Sequence, residues 1–171
     1  MFAFRRAAVA AIVCFVASGA VAQPFMAKDT VEGWGIFYNE ATKGCFMETQ
    51  QEPYVIQIGT EMAMLGEGDN EKFGFLAVYS SGEVEIGDGE EREVKFDLDG
   101  DMFAGMATGA AREGFAGGYV VANNPNFGED LAMKQTLTIN PGMENAVEID
   151  LTGTKMAMEA TRACQKEMMA Q

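Results

Sequence analysis

The residues best able to do chemistry in this 171-residue chain are three cysteines and 26 acidic side chains, and no histidine accompanies them. Lack of imidazole removes the Ser-His-Asp and Cys-His nucleophile systems in their usual form, together with the commonest metal ligand. Cys14 lies inside an apolar N-terminal run, which leaves Cys45 and Cys164 as a pair. No Cys-x-x-Cys redox spacing occurs. In an oxidising compartment an even pair reads as a disulfide. Once oxidised, it supplies neither a thiolate nucleophile nor a Cys-rich zinc site.

Carboxylates could still act in pairs. A glycosidase holds two across a cleft, one with a raised pKa, usually among aromatic sugar platforms. Here the single Trp, Trp34, lies near the N-terminal edge of the domain, and no acidic pair stands out. Asp97-Leu98-Asp99-Gly100-Asp101 begins like a calcium loop. An EF-hand would continue with Gly at the sixth position and Glu at the twelfth, where this chain has Met102 and Thr108. The expected structure is therefore a strand end with an Asp-Gly turn, and Gly66-Glu67-Gly68-Asp69-Asn70-Glu71 is read the same way. Met62-Ala63-Met64, Met156-Ala157-Met158 and Met168-Met169 could offer thioethers to Cu(I). Core filling explains them better: Met62 and Met64 share a strand face, and Met156 and Met168 share a helical arc. The glycine-rich stretch from Gly105 to Gly118 lacks the lysine and strand-loop-helix context of a phosphate cradle, and reads as bends in twisted strands.

Strands must position most of these residues. Apolar and polar residues alternate over 34–39 and 44–49, separated by a turn at 40–43. Tyr54, Ile56 and Ile58 share one face of the next strand, and a shorter alternation runs over 61–65 before a turn at 66–70. Residues 73–79 are dense in aromatic and aliphatic side chains and form the most buried strand. Val94, Phe96 and Leu98 alternate with Glu93, Lys95 and Asp97, so one face is wet. After the Asp99-Gly100 turn come strands over 102–108 and 115–122, about two helical turns over 127–134 with Asn126 as cap, and strands over 136–140 and 146–151. About nine short strands at this spacing point to an antiparallel sandwich or partly closed barrel. Thr154 can cap a helix over 155–168, whose apolar arc is Met156, Ala157, Ala160, Ala163, Cys164 and Met168. That phase brings Cys164 onto the sheet, where it can meet Cys45.

The N-terminus carries Arg5-Arg6, an apolar run over 7–16 and small residues ending at Ala22, the order of a secretory signal peptide. The run is too short to be a membrane span. At a net charge of −14, more negative still without Arg5 and Arg6, the surface repels phosphate backbones and anionic headgroups, so no nucleic-acid partner is expected.

Gly33-Trp34 before the first strand, Cys45 soon after, and Leu151-Thr152-Gly153-Thr154 followed by Ala157, Ala160 and Cys164 make the layout resemble small exported alphaproteobacterial proteins similar to the invasion-associated locus B family. The resemblance covers residues 33–165. It implies a periplasmic β-sandwich-like domain with a C-terminal helix, and carries over no catalytic residue.

The expected organisation is a signal peptide over 1–22, a loose leader over 23–32, and one mainly β domain over 33–171: an antiparallel β-sandwich or partly closed barrel with one C-terminal α-helix packed on it. The expected function is that of a periplasmic, non-enzymatic binding or structural accessory protein whose partner is another envelope protein. No catalytic residue, cofactor or metal ligand is assigned. The alternative is a small-ligand or metal-binding module for copper or calcium.

Overall fold

A computed structural model describes residues 25–40, 42–59, 74–112 and 114–170. The expected signal peptide, the alternation over 61–65 and the turn at 66–70 lie outside the described residues. Ten strands follow in order: β1 (Phe25–Val31), β2 (Trp34–Asn39), β3 (Cys45–Gln51), β4 (Tyr54–Gly59), β5 (Gly74–Ser80), β6 (Glu91–Leu98), β7 (Asp101–Arg112), β8 (Phe115–Ala122), β9 (Thr136–Ile139) and β10 (Val147–Asp150). Helix α1 (Phe127–Ala132) joins β8 to β9, and α2 (Thr154–Met169) ends the chain. The strands form one antiparallel sheet in the order β1-β2-β3-β4-β5-β8-β7-β6-β9-β10.

The sheet curls without closing. Its edges are β1 and β10, and side chains of β2 and β3 reach across to β10 and the residues just after it. Gln51, at the end of β3, donates from Nε2 to the Asp150 carbonyl and accepts the Asp150 N–H, at 2.7 and 2.9 Å. The Trp34 indole N–H donates to the Thr152 carbonyl at 3.1 Å. One face of the curl is the main core, with Trp34, Ile36, Met47, Ile56, Ile58, Leu76, Phe96, Leu98, Leu137 and Ile149 buried against one another. Tyr54, Ile56 and Ile58 do share that inner face, as period-two spacing requires. The outer face carries a second cluster around Phe46, Phe75, Ala77 and Tyr79, in which the Phe46 ring meets Phe25 edge-on at 5.2 Å and stacks with Phe37 at 5.3 Å. Strand β5 contributes to both clusters, which explains its nearly unbroken apolar sequence.

The expected loose leader is a strand. Phe25–Val31 pairs with β2 through the two-residue turn Glu32-Gly33, both at positive φ, the hairpin geometry whose twist matches that of the strands. As an edge strand it is exposed along most of its length and shifts register between Ala27 and Asp29, so its side chains show no alternation. An exposed, bulged edge carrying Lys28 is also a poor template for edge-to-edge pairing.

Helix α2 packs against β1, β2 and β3. Its buried face is Thr154, Ala157, Met158, Thr161, Cys164, Gln165 and Met168, whereas Met156 and Ala163 are exposed, so the expected arc is rotated toward Met158 and Gln165. The rotation has a polar cause. Gln165 reaches the start of β3, accepting the Cys45 N–H on Oε1 at 2.8 Å and donating from Nε2 to the Lys43 carbonyl at 2.9 Å. A buried amide that meets both backbone groups escapes the desolvation penalty that apolarity scales assign to it. Thr154 is the first helical residue rather than the cap. The capping position belongs to Gly153 at φ 82°, where an added Cβ would sit 2.6 Å from that of Glu32. Asn126 does occupy the capping position of α1, but its side chain makes no capping bond.

Cys45 and Cys164 form the disulfide, with α-carbons 6.1 Å apart and both residues fully buried. Their sequence separation of 119 makes the closed loop long enough to stabilise the fold by about 5 kcal/mol in the chain-entropy model. Replacing both cysteines by alanine is expected to lower the unfolding free energy by roughly 3 to 5 kcal/mol in urea titration, with reduction of the wild type giving a comparable loss. Gln165→Leu, similar in size, should cost about 2 kcal/mol or more, because two backbone groups lose their partners. A loss below about 0.5 kcal/mol would show that packing alone orients the helix.

Candidate functional site

The acidic segment at the β6–β7 turn does not converge on a cation. Asp97 Oδ1 accepts the Gly100 N–H at 2.6 Å, and the Asp99 carboxylate accepts the N–H groups of Gln135 and Thr136 at 2.8 and 3.0 Å. Asp101 pairs with Lys134 Nζ at 2.6 Å, and this raises the pKa of the exposed ammonium. The three carboxylates therefore serve four partners, none of them shared. Asp99 and Gly100 lie at φ 48° and 92° between the paired residues Leu98 and Asp101, forming the expected Asp-Gly hairpin turn. Gly66-Glu67-Gly68-Asp69-Asn70-Glu71, Met62 and Met64 lie outside the described residues. The other methionine pairs diverge: Met158 and Met168 are buried, Met156 and Met169 exposed. Among the described residues no three His, Cys, Asp or Glu side chains gather as a metal site, and no carboxylate is counted with the buried polar groups.

The glycine-rich strand has a specific use. Gly89 N donates to the Gly109 carbonyl at 2.9 Å and Gly109 N to the Glu90 carbonyl at 2.7 Å, so the β5–β6 loop lies flat on β7. A Cβ at Gly109 would stand 1.8 Å from the Gly87 carbonyl oxygen. No side chain fits there.

That loop forms one wall of a cavity, which periodicity did not reveal. Helix α2 covers β1–β3, and beyond its reach the inner face of β4–β9 lines a space of about 450 Å³. Its floor is Tyr54, Leu76, Val78, Val94, Phe96, Ala107, Val120 and Ile139; loops 81–90 and 140–146 rim it. Val78, Val120 and Ile139 are only partly buried, as wall residues of an open space must be. Arg92 continues the face of Val94 and Phe96 to the mouth, where period-two alternation turns from apolar to charged. Its guanidinium meets Glu85 Oε2 at 3.4 Å and Glu90 Oε1 at 2.9 Å. Asn145 Nδ2 donates to Glu85 Oε2 at 2.8 Å, so Glu85 joins the two rim loops. The Gly87 N–H, then Arg92, hold the Glu90 carboxyl below its usual range. Asn145 Oδ1, by contrast, is buried without a hydrogen-bond partner.

A curled antiparallel sheet stapled to one terminal helix, with a cavity on the side the helix leaves uncovered, defines the class of fold. The crystal structure of invasion associated protein b from Bartonella henselae has a similar fold: the TM-score is 0.54, with 16% identity over 81% of this chain and 97% of that one. At that identity the likeness is one of layout. No family model and no curated protein matches the sequence.

Asp99→Ala should cost about 1 kcal/mol in urea unfolding, and Asp99→Asn less, since it keeps an acceptor and tolerates the left-handed backbone. The loss should be equal in chelator and in millimolar calcium. A calcium-dependent stabilisation of the wild type that vanishes in Asp99→Ala would reverse the assignment.

Proposed function

We propose that this chain is an exported, non-enzymatic accessory protein of the periplasm that works by binding, with an envelope protein as partner. The observation that carries the reading is the buried Cys45–Cys164 bridge, a covalent tie of the kind that persists where thiols oxidise. The signal-like segment ending at Ala22 supports the same compartment, and the layout shared with invasion associated protein b supports an accessory role. The absence of histidine from the sequence, and the engagement of Asp97, Asp99 and Asp101 with separate partners, support a protein that binds rather than turns over.

A second reading, small-ligand binding, is favoured by one observation: the cavity over β4–β9, whose size falls within the range of ordinary ligand sites.

Expressed from its own N-terminus in a Gram-negative host, the chain should fractionate with the periplasm, begin at Gln23, carry the oxidised pair, and cross-link in cells to an envelope protein. Retention in the cytoplasm with free thiols would sink the assignment of compartment. Substrate turnover abolished by changing one carboxylate would sink the non-enzymatic assignment.

A further inference from the structure

Resting on the small-ligand reading, we propose that the cavity over β4–β9 takes an apolar molecule with a cationic, hydrogen-bond-donating head, a hydrophobic amine. The body of the ligand follows from the floor. Val78, Val120 and Ile139 leave apolar surface facing a space of about 450 Å³, and burying that surface favours an alkyl or aromatic group.

The sign of the head follows from the mouth. Glu83, Glu85 and Glu144 line the cavity against one guanidinium, Arg92, and that guanidinium is already engaged by Glu85 and Glu90. An incoming carboxylate would meet repulsion with no free cation to offset it, whereas an ammonium would meet attraction. The field of a chain with net charge −14 acts in the same direction and concentrates cations at the opening.

Asn145, on the rim, donates its amide N–H to Glu85. Because Glu85 also holds Arg92, the ligand head enters beside the contact that ties loops 81–90 and 140–146 together.

Isothermal titration of the exported, oxidised full chain with decylammonium, decanol and decanoate, each below its micellar concentration, reads the preference. Expected is one decylammonium per chain, bound at least about tenfold more tightly than either other probe. Combining E85Q with E144Q, both on exposed side chains, should narrow that ratio by about threefold or more. Val78→Trp, which fills the cavity, should weaken decylammonium by about tenfold or more with an unchanged melting curve; Val120→Phe serves if that variant does not fold. Decanoate or decanol binding as tightly as the amine overturns the choice of head and leaves the small-ligand reading standing. Binding of none of the three overturns both, and undiminished binding to the filled variants removes the cavity as the site.

Discussion

A sheet that curls without closing leaves its interior open along one side, and burial of that interior depends on what is fastened over the gap. In this protein the fastening is the contact between the last helix and the third strand. The Cys45–Cys164 bridge fixes the distance, and Gln165 fixes the rotation by completing the backbone hydrogen bonds of Lys43 and Cys45. With both in place Met158 and Met168 join Trp34, Ile36 and Met47 in one core, and the inner face of β1–β3 is covered. Distance and phase are set by separate interactions. Lys28 of the first strand adds an exposed ion pair with Glu167, a lesser contribution at that degree of exposure.

The same fastening creates the cavity. A 16-residue helix spans about 24 Å, and directed across β1–β3 it cannot also cover β5–β8. The inner face there is apolar from Leu76 to Ile139 but is roofed by two loops instead of by an element with an apolar face of its own. Where the loops touch they do so through Glu85, Arg92 and Asn145. Those contacts lie at the rim, so the centre stays unfilled.

The acidic turn at 97–101 shows how composition misleads when it is read without geometry. Three aspartates within five residues look like an ion site, yet the two-residue turn pairs Leu98 with Asp101 and Asp97 with Met102, which sets Asp97 and Asp101 on opposite faces of the hairpin. Asp99 instead ties the β6–β7 hairpin to Gln135 and Thr136 at the start of β9, and Asp101 reaches Lys134. The cluster is thus a joint between neighbouring strands.

By itself the sequence determined the features that local periodicity encodes: strands at 34–39, 54–59, 115–122 and, within one residue, 73–79, the Asp-Gly turn, the terminal helix, and the pairing of the two cysteines that share a face with the core. Period-two and 3.6-residue patterns survive in a string because a buried face repeats within one element. Tertiary structure alone decided what depends on a neighbour distant in the chain. Strand β1 was illegible because an exposed edge strand has no buried face to repeat; Gln165 was illegible because a polar side chain becomes a core residue only when another element presents the groups it can bond. The cavity was illegible for the same reason, since an empty volume is bounded by elements remote in sequence and belongs to none of them.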